Sequence, residues 1–235
     1  MNDLAKVGSF AKLYRVLLSV QNGNNQATAT DKGQRYFVVI EWDIWYDFNI
    51  VESDKSGVGG GLYMIIEINT FEQVNGRKLM DIYRESNAEN TDYFYPNVSN
   101  KDEALQKVEC DYLNYIENDF LTDSKNQYMI LEHDGIWVCA LRLYCIDDGL
   151  YFIEGLETHP EYRRKGYGTQ LLAGVIELLK RQGAYTIRDC VYKKNMASLL
   201  THQKVGFVIY SEEGYDYLQN ETDNGSYGLQ FTYGE

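Results

Sequence analysis

The segment LYFIEGLETHPEYRRKGYGTQLLAGVIELLK, residues 150–180, constrains the fold more than any other stretch. It opens as an apolar, aromatic run that reads as a strand. It closes with Leu171, Leu172, Val175, Leu178 and Leu179 at helical spacing, and Gly183 follows as a C-cap. Between the two, Arg163, Arg164 and Lys165 run into Gly166-Tyr167-Gly168. Adjacent like charges repel, and glycine weakens any helix or strand it enters. A strand–loop–helix passage, however, aims unpaired N–H groups and the positive end of a helix dipole at one point. Glycine lets a ligand approach that backbone and the cations add charge, so the loop reads as a pyrophosphate site. The bland alternative is a solvated basic turn. The spacing fits neither a Walker P-loop nor a dinucleotide GxGxxG.

The flanking sequence predicts a mixed sheet. Residues 62–71 read as a strand and EQVNGRKLMDIYRES as a helix with Val74, Leu79, Ile82 and Tyr83 on one face. TDYFYPNVS reads as a loop. A long amphipathic helix follows, carrying Ala104, Leu105, Val108, Tyr112, Ile116 and Phe120. QYMILEHDGIWVCALRLY gives a hairpin about Asp134-Gly135. After the central segment come the strand YTIRDCVY, the helix NMASLLTHQKVG, and the strands FVIYSEEGYDYLQ and GSYGLQFTY. The expected fold class is α/β (α+β), a mostly antiparallel sheet flanked by helices over residues 62–235, preceded by an α/β extension.

That extension, residues 1–61, reads as a helix from Leu4 to Val20, a polar loop QNGNNQATATDKGQ, a strand in RYFVVIEWDIWYDFNIVES, and the glycine-rich linker Ser53–Gly61. Its aromatic cluster Trp42, Trp45, Tyr46 and Phe48 suits an interaction face, such as that of a homodimer. The opening MNDLAKVGSF lacks a basic region followed by an apolar core, which predicts a cytoplasmic protein.

A formal charge of −13 argues against nucleic-acid and anionic-membrane partners and is compatible with cationic substrates such as amines. Against that background the stretch from Arg163 to Lys204 holds nine cations and only Glu177 and Asp189, a landing zone for a polyphosphate. The four cysteines show no metal spacing and read as reduced thiols; no metal site is expected.

Two motifs carry a resemblance. Arg163-x-x-Gly166-x-Gly168 resembles the [QR]-x-x-G-x-[GA] loop of the GNAT superfamily of acyl-CoA-dependent N-acetyltransferases. NMASLLTHQKVGF, with Asn195, Lys204, Gly206 and Phe207, resembles that family's second motif. The resemblance implies acetyl-CoA as cofactor and an amine, on a small molecule or a peptide, as acceptor. It places the cofactor in a V-shaped gap where the fourth strand of the fold splays from the fifth. Pantetheine would then pair with the backbone of Leu156 and Thr158, and the pyrophosphate would take N–H groups from Arg164, Lys165, Gly166, Tyr167 and Gly168. Arg163 and Lys165 would add side-chain donors. Asn195 would bond the pantetheine arm, cap its helix, or do both.

The family's base often lies on the fourth strand. Strand alternation puts Glu154, Leu156 and Thr158 on one face and the reserve candidate Glu157 on the other. Glu154 is then a base or ammonium anchor, or else a salt-bridged carboxylate. The Leu156 N–H is the expected oxyanion donor. Where the family usually carries a tyrosine acid, this chain has His202, about two helical turns from Asn195. It reads as the acid for the departing thiolate, or as a helix-surface residue with water or Tyr210 in that role. His133 and His159 read as turn residues. A non-catalytic acyl-CoA-binding module of the same fold is the competing reading.

Overall fold

The computed structural model describes residues 28–31, 34–39 and 63–234. The expected helix over residues 4–20, the aromatic cluster and the glycine-rich linker lie outside them. The strands are β1 (Thr28–Asp31), β2 (Gln34–Val39), β3 (Tyr63–Ile68), β4 (Gln127–His133), β5 (Ile136–Asp147), β6 (Leu150–Thr158), β7 (Tyr185–Tyr192), β8 (Val208–Ser211), β9 (Gly214–Asp216), β10 (Glu221–Asp223) and β11 (Ser226–Tyr233). The helices are α1 (Gly76–Glu89), α2 (Thr91–Phe94), α3 (Lys101–Asn118), α4 (Tyr167–Lys180) and α5 (Met196–Lys204).

One nine-stranded sheet runs β1-β2-β3-β4-β5-β6-β7-β11-β8, with β9 and β10 as a separate hairpin. Every neighbouring pair is antiparallel except β6 and β7. The sheet crosses the expected boundary at residue 61, because β2 pairs with β3, and β1 lies in what reads from sequence as a loop.

Helices cover both faces. Leu79, Ile82 and Tyr83 of α1 and Ile116 of α3 pack with Tyr128, Ala140, Tyr144 and Phe152 on one side. On the other, Leu171, Leu172 and Val175 of α4 pack with Met129, Leu141, Leu143 and Ile153. With a core on each side, β5 is buried from Trp137 through Tyr144. The β4–β5 turn places Asp134 and Gly135 at φ of 50° and 80°, the left-handed pair that a two-residue hairpin requires.

Three local readings change. The helix expected from Glu72 begins at Gly76, since Asn75 accepts from the Lys78 N–H at 3.1 Å and caps it, leaving Val74 outside. TDYF of the expected loop is the short helix α2. The single strand expected from Phe207 to Gln219 is broken into β8 and β9, and the chain turns after β9 where Asp216 Oδ1 accepts from the N–H groups of Leu218 and Gln219.

The parallel pair is short. Leu150, Tyr151 and Phe152 face Thr186, Ile187 and Arg188, and pairing stops there. β6 continues along β5 to Thr158, while β7 stays with β11 to Tyr192, so a gap opens between them. The cause lies in β6. Arg142 faces Glu154 and Ala140 faces Glu157, so two steps on β5 match three on β6. This is a β-bulge, with Gly155 at φ 65°, and a bulge bends its strand and increases its twist.

The extra residue also overturns the expected facing. Glu154 and Glu157 lie together on the α1 side, where they meet Arg142 and Ser86. Leu156 packs into the α4 core, and Thr158 points the same way toward Cys139.

Gly155→Ala is expected to cost about 1–2 kcal/mol, the ordinary penalty of a side chain in the left-handed region. The new methyl would also lie 3.1 Å from Arg142 Nη2. Urea denaturation checks this; an unchanged midpoint would show that the bulge does not depend on glycine.

Candidate active site

The loop after β6 is held from beneath. His159 Nδ1 accepts from the Glu161 N–H at 3.2 Å, starting a tight turn over Pro160–Tyr162. His133 bonds Tyr167 Oη at 2.9 Å and stacks on Tyr63, so both of these histidines are structural. The backbone then takes two left-handed steps, Arg164 at φ 64° and Gly166 at φ 83°. Such steps turn successive N–H groups toward one concavity. Gly166 caps α4 without a side-chain hydrogen bond, and a Cβ built there would meet nothing within 4 Å. Among the described residues, no protein acceptor meets the N–H groups from Arg164 to Gly168. A Cβ on Gly168 would lie 3.4 Å from Thr201 and 3.7 Å from Thr158, ordinary contact distances.

The cations divide. Arg164 and Lys165 are exposed, with Lys165 Nζ 4.6 Å from the centre of the Tyr162 ring. Arg163, expected to point at a ligand, is a brace instead. Its Nε donates to the Thr158 carbonyl at 3.2 Å, Nη2 to Glu157 at 3.2 Å, and Nη1 to Glu85 of α1. Burial raises the Glu157 carboxyl above its usual range, while hydrogen bonds from Ser86 and Arg163 oppose that rise. Its oxygens are thus committed to fixing the loop.

Asn195 caps α5, with Oδ1 accepting from the Ser198 N–H at 3.1 Å. Its exposed amide nitrogen remains available as a donor. Leu156 lies in the part of β6 without a β7 partner. The Thr158 carbonyl has one lone pair taken by Arg163 and one left.

Across the sheet is a buried polar network whose centre, Arg142, escaped the sequence reading. The signal was available: a lone arginine in the apolar strand IWVCALRLY. Its Nε and Nη2 donate to Glu154 Oε2 at 3.2 and 2.8 Å, and Nη1 donates to Tyr112. Tyr144 Oη adds a third bond to the same Oε2 at 3.0 Å. Because Tyr144 gives its proton to Glu154, the 2.5 Å contact between Tyr115 and Tyr144 must have Tyr115 as donor. Burial raises the Tyr144 hydroxyl far above the ordinary phenol range, keeping it protonated and able to donate. Burial works against the charge on Arg142, but Tyr112, Tyr128 and Glu154 more than offset it. Tyr83 Oη donates to the Gly155 carbonyl at 2.6 Å, fastening the bulge to α1. Glu154 therefore has one oxygen saturated by three donors, while Oε1 meets no donor among the described residues on a side chain 39% exposed.

His202 is not at the cleft. It is 0% exposed, its Nδ1–H donates to the Ser198 carbonyl at 2.8 Å, and its ring lies edge-on to Phe207. Nε2 is 2.8 Å from Asp189 Oδ2 of β7, an ionic contact with its N–H off the line of a good hydrogen bond. Helical spacing from Asn195 is respected, but the face turns inward. Burial lowers the His202 pKa, and the Asp189 charge outweighs it, so the net shift is upward.

The model of the Acetyltransferase (GNAT) family matches residues 79–207, more than half of the chain. The chain belongs to this family. Among solved structures it is similar to the PaiA N-acetyltransferase of Thermoplasma acidophilum in complex with coenzyme A, with 18% identity and a TM-score of 0.51 over 72% of this chain and 99% of that one. It is similar also to an acetyltransferase from Streptococcus agalactiae, with 18% identity and a TM-score of 0.51 over 73% of this chain and 98% of that one. At such identities the likeness is one of fold. Comparison with curated proteins gives no match. Among the described residues, no helix is long and apolar enough to cross a membrane.

The His202–Asp189 pair gives a pH-dependent prediction. A raised imidazole pKa contributes stability that is fully present below the unfolded value of about 6.5 and is lost as pH rises through the folded value. His202→Ala should cost about 3–5 kcal/mol at pH 6, because it strands a buried carboxylate. The gap from wild type should narrow toward alkaline pH. Urea melts at several pH values check this, and a gap independent of pH would show that His202 folds as the neutral ring.

Proposed function

We propose that the protein is an acyl-CoA-dependent N-acyltransferase, moving acetyl from acetyl-CoA to a primary amine by direct attack in a ternary complex. The observation that carries this reading is the β6–β7 pair that stops at Phe152, with an uncapped helix N-terminus at the mouth of the gap. The family match and the coenzyme A held by the Thermoplasma structure support it.

The residues present fit such a cofactor. The N–H groups of Arg164–Gly168, with the exposed Arg164 and Lys165, suit a diphosphate. The unpaired edge of β6 about Leu156 suits the amides of a pantetheine arm, as an added strand would. Asn195, at the start of α5, offers a free donor to the same arm. Arg163 serves by holding the loop and not by touching the ligand.

When bound, acetyl-CoA supplies an acetyl thioester activated toward a neutral amine. The chain contributes the proton acceptor and the oxyanion donor, and Glu154 or solvent gives the departing thiolate its proton. Glu154 Oε1 anchors the incoming ammonium and takes up its proton, while Arg142 and Tyr144 hold the other oxygen still. The Leu156 N–H, just past the bulge, is the donor aimed at the oxygen on which charge develops. His202 takes no part in proton transfer, being sealed between α5 and β7.

Coenzyme A should bind saturably in calorimetry, and Arg164→Glu should weaken that binding. Glu154→Gln should keep the affinity for coenzyme A while lowering kcat on the order of 100-fold. Release of free thiol from acetyl-CoA with an amine panel reads the rate. Saturable binding with no turnover on any amine would favour the non-catalytic module, and no binding at all would sink both readings.

A further inference from the structure

Arg188 and Arg142 stand on the same face of the sheet. Arg142 pairs with Glu154 across β5–β6, and Arg188 pairs with Phe152, two residues before Glu154, across β6–β7. Strand geometry puts the Cα atoms of Arg188 and Glu154 about 8 Å apart, at the floor of the gap. The two arginines are mounted alike. Each donates Nη1 to a tyrosine hydroxyl, Arg142 to Tyr112 and Arg188 to Tyr217. Each guanidinium lies against tyrosine rings, 5.2 Å from that of Tyr112 and 4.5 Å from that of Tyr210.

They differ at the remaining edge. Arg142 presents Nε and Nη2 to the Glu154 carboxylate. Among the described residues no acid meets Arg188, and its Nε is buried without an acceptor. A buried N–H of a permanently charged group is costly to leave unpaired. Glycine makes room for the arrangement: a Cβ on Gly228 would lie 2.8 Å from the Tyr210 ring that supports the guanidinium.

We propose that Arg188 receives the carboxylate of the acceptor, so that the acceptor is an amino-acid-type molecule carrying both an amine and a carboxylate. This rests on the acyl-transfer reading of the same site. The amine lies at Glu154 and the carboxylate at Nη2 of Arg188, the end of the guanidinium that Tyr217 does not take and the protein does not bury. In the protein's own Arg142–Glu154 pair the corresponding edge holds a carboxylate through a single oxygen. A flat carboxylate fits a guanidinium edge flanked by the Tyr210 and Tyr217 rings. An acceptor whose only charges are positive, such as a polyamine, would bring a like charge against Arg188 and is disfavoured.

The test compares α-amino acids with their decarboxylated amines, by thiol release and by calorimetric titration into the protein saturated with coenzyme A. Wild type should favour the carboxylate-bearing member of each pair by roughly 10- to 100-fold in kcat/KM, the range of a charge-assisted hydrogen-bonded contact. Arg188→Met should erase that preference by raising KM for the amino acid, with kcat and the rates of the decarboxylated amines little changed. Should Arg188→Met fail to fold, Arg188→Lys is expected to retain part of the preference, and the wild-type comparison stands alone. Equal or tighter binding of the decarboxylated amines overturns the proposal, as does a variant that slows both members alike. Wild type that takes up coenzyme A but turns over no amine contradicts the acyl-transfer reading, while the calorimetric comparison still decides on Arg188.

Discussion

The site depends on a strand that serves two neighbours unequally. β6 is paired along β5 for most of its length but along β7 for only three residues. A buried strand cannot leave its backbone groups unpaired without cost, so half of one edge of β6 is suited to a ligand that brings its own amides. The bulge at Gly155 bends β6 away from β7. Tyr83 bonds the Gly155 carbonyl, and Arg142 sits beneath the glycine in the space a methyl would take. Backbone geometry and side-chain chemistry are fixed by the same few contacts.

Charge is arranged by face. On the α4 side the loop offers bare N–H groups and exposed cations, and among the described residues no carboxylate is bound to Arg164 or Lys165. On the α1 side every acidic group near the bulge is tied to a buried or bridging arginine, Glu154 to Arg142 and Glu157 to Arg163. A buried ion pair of this kind adds little to stability, since desolvation offsets most of the attraction. Its value is positional. Three donors on one oxygen of Glu154 leave the other with a defined direction, which a mobile surface carboxylate lacks.

The strand–loop–helix passage was legible because its signals are local: glycine at a left-handed step, cations at a helix start, and apolar spacing on either side. The β4–β5 hairpin was legible from its Asp-Gly turn, but that helices cover both faces of β5 was not. The facing of Glu154 was not, because alternation counts residues and a bulge adds one; a glycine in mid-strand was the available hint. His202 shows another limit. Helical spacing puts it on the side of Asn195 but says nothing of whether its ring turns to the cleft or to β7, and Asp189 decides that through a tertiary contact. Arg142 escaped the sequence reading, and Arg188 entered it only as one of nine cations in the basic stretch. Only the sheet register reveals that they are neighbours with matching mounts.

The bulge also sets a parity for the chain. Residues of β6 before Gly155 count as odd and even in one sense, and those after it in the other. Pressing the bulge flat with every residue kept would swap the tail of the strand top for bottom. Glu157 would be driven into oil beneath α4, and Leu156 would be turned out among the tyrosines. A chain that lost Gly155 alone would keep the facing of its tail, since the bulge absorbs that one residue.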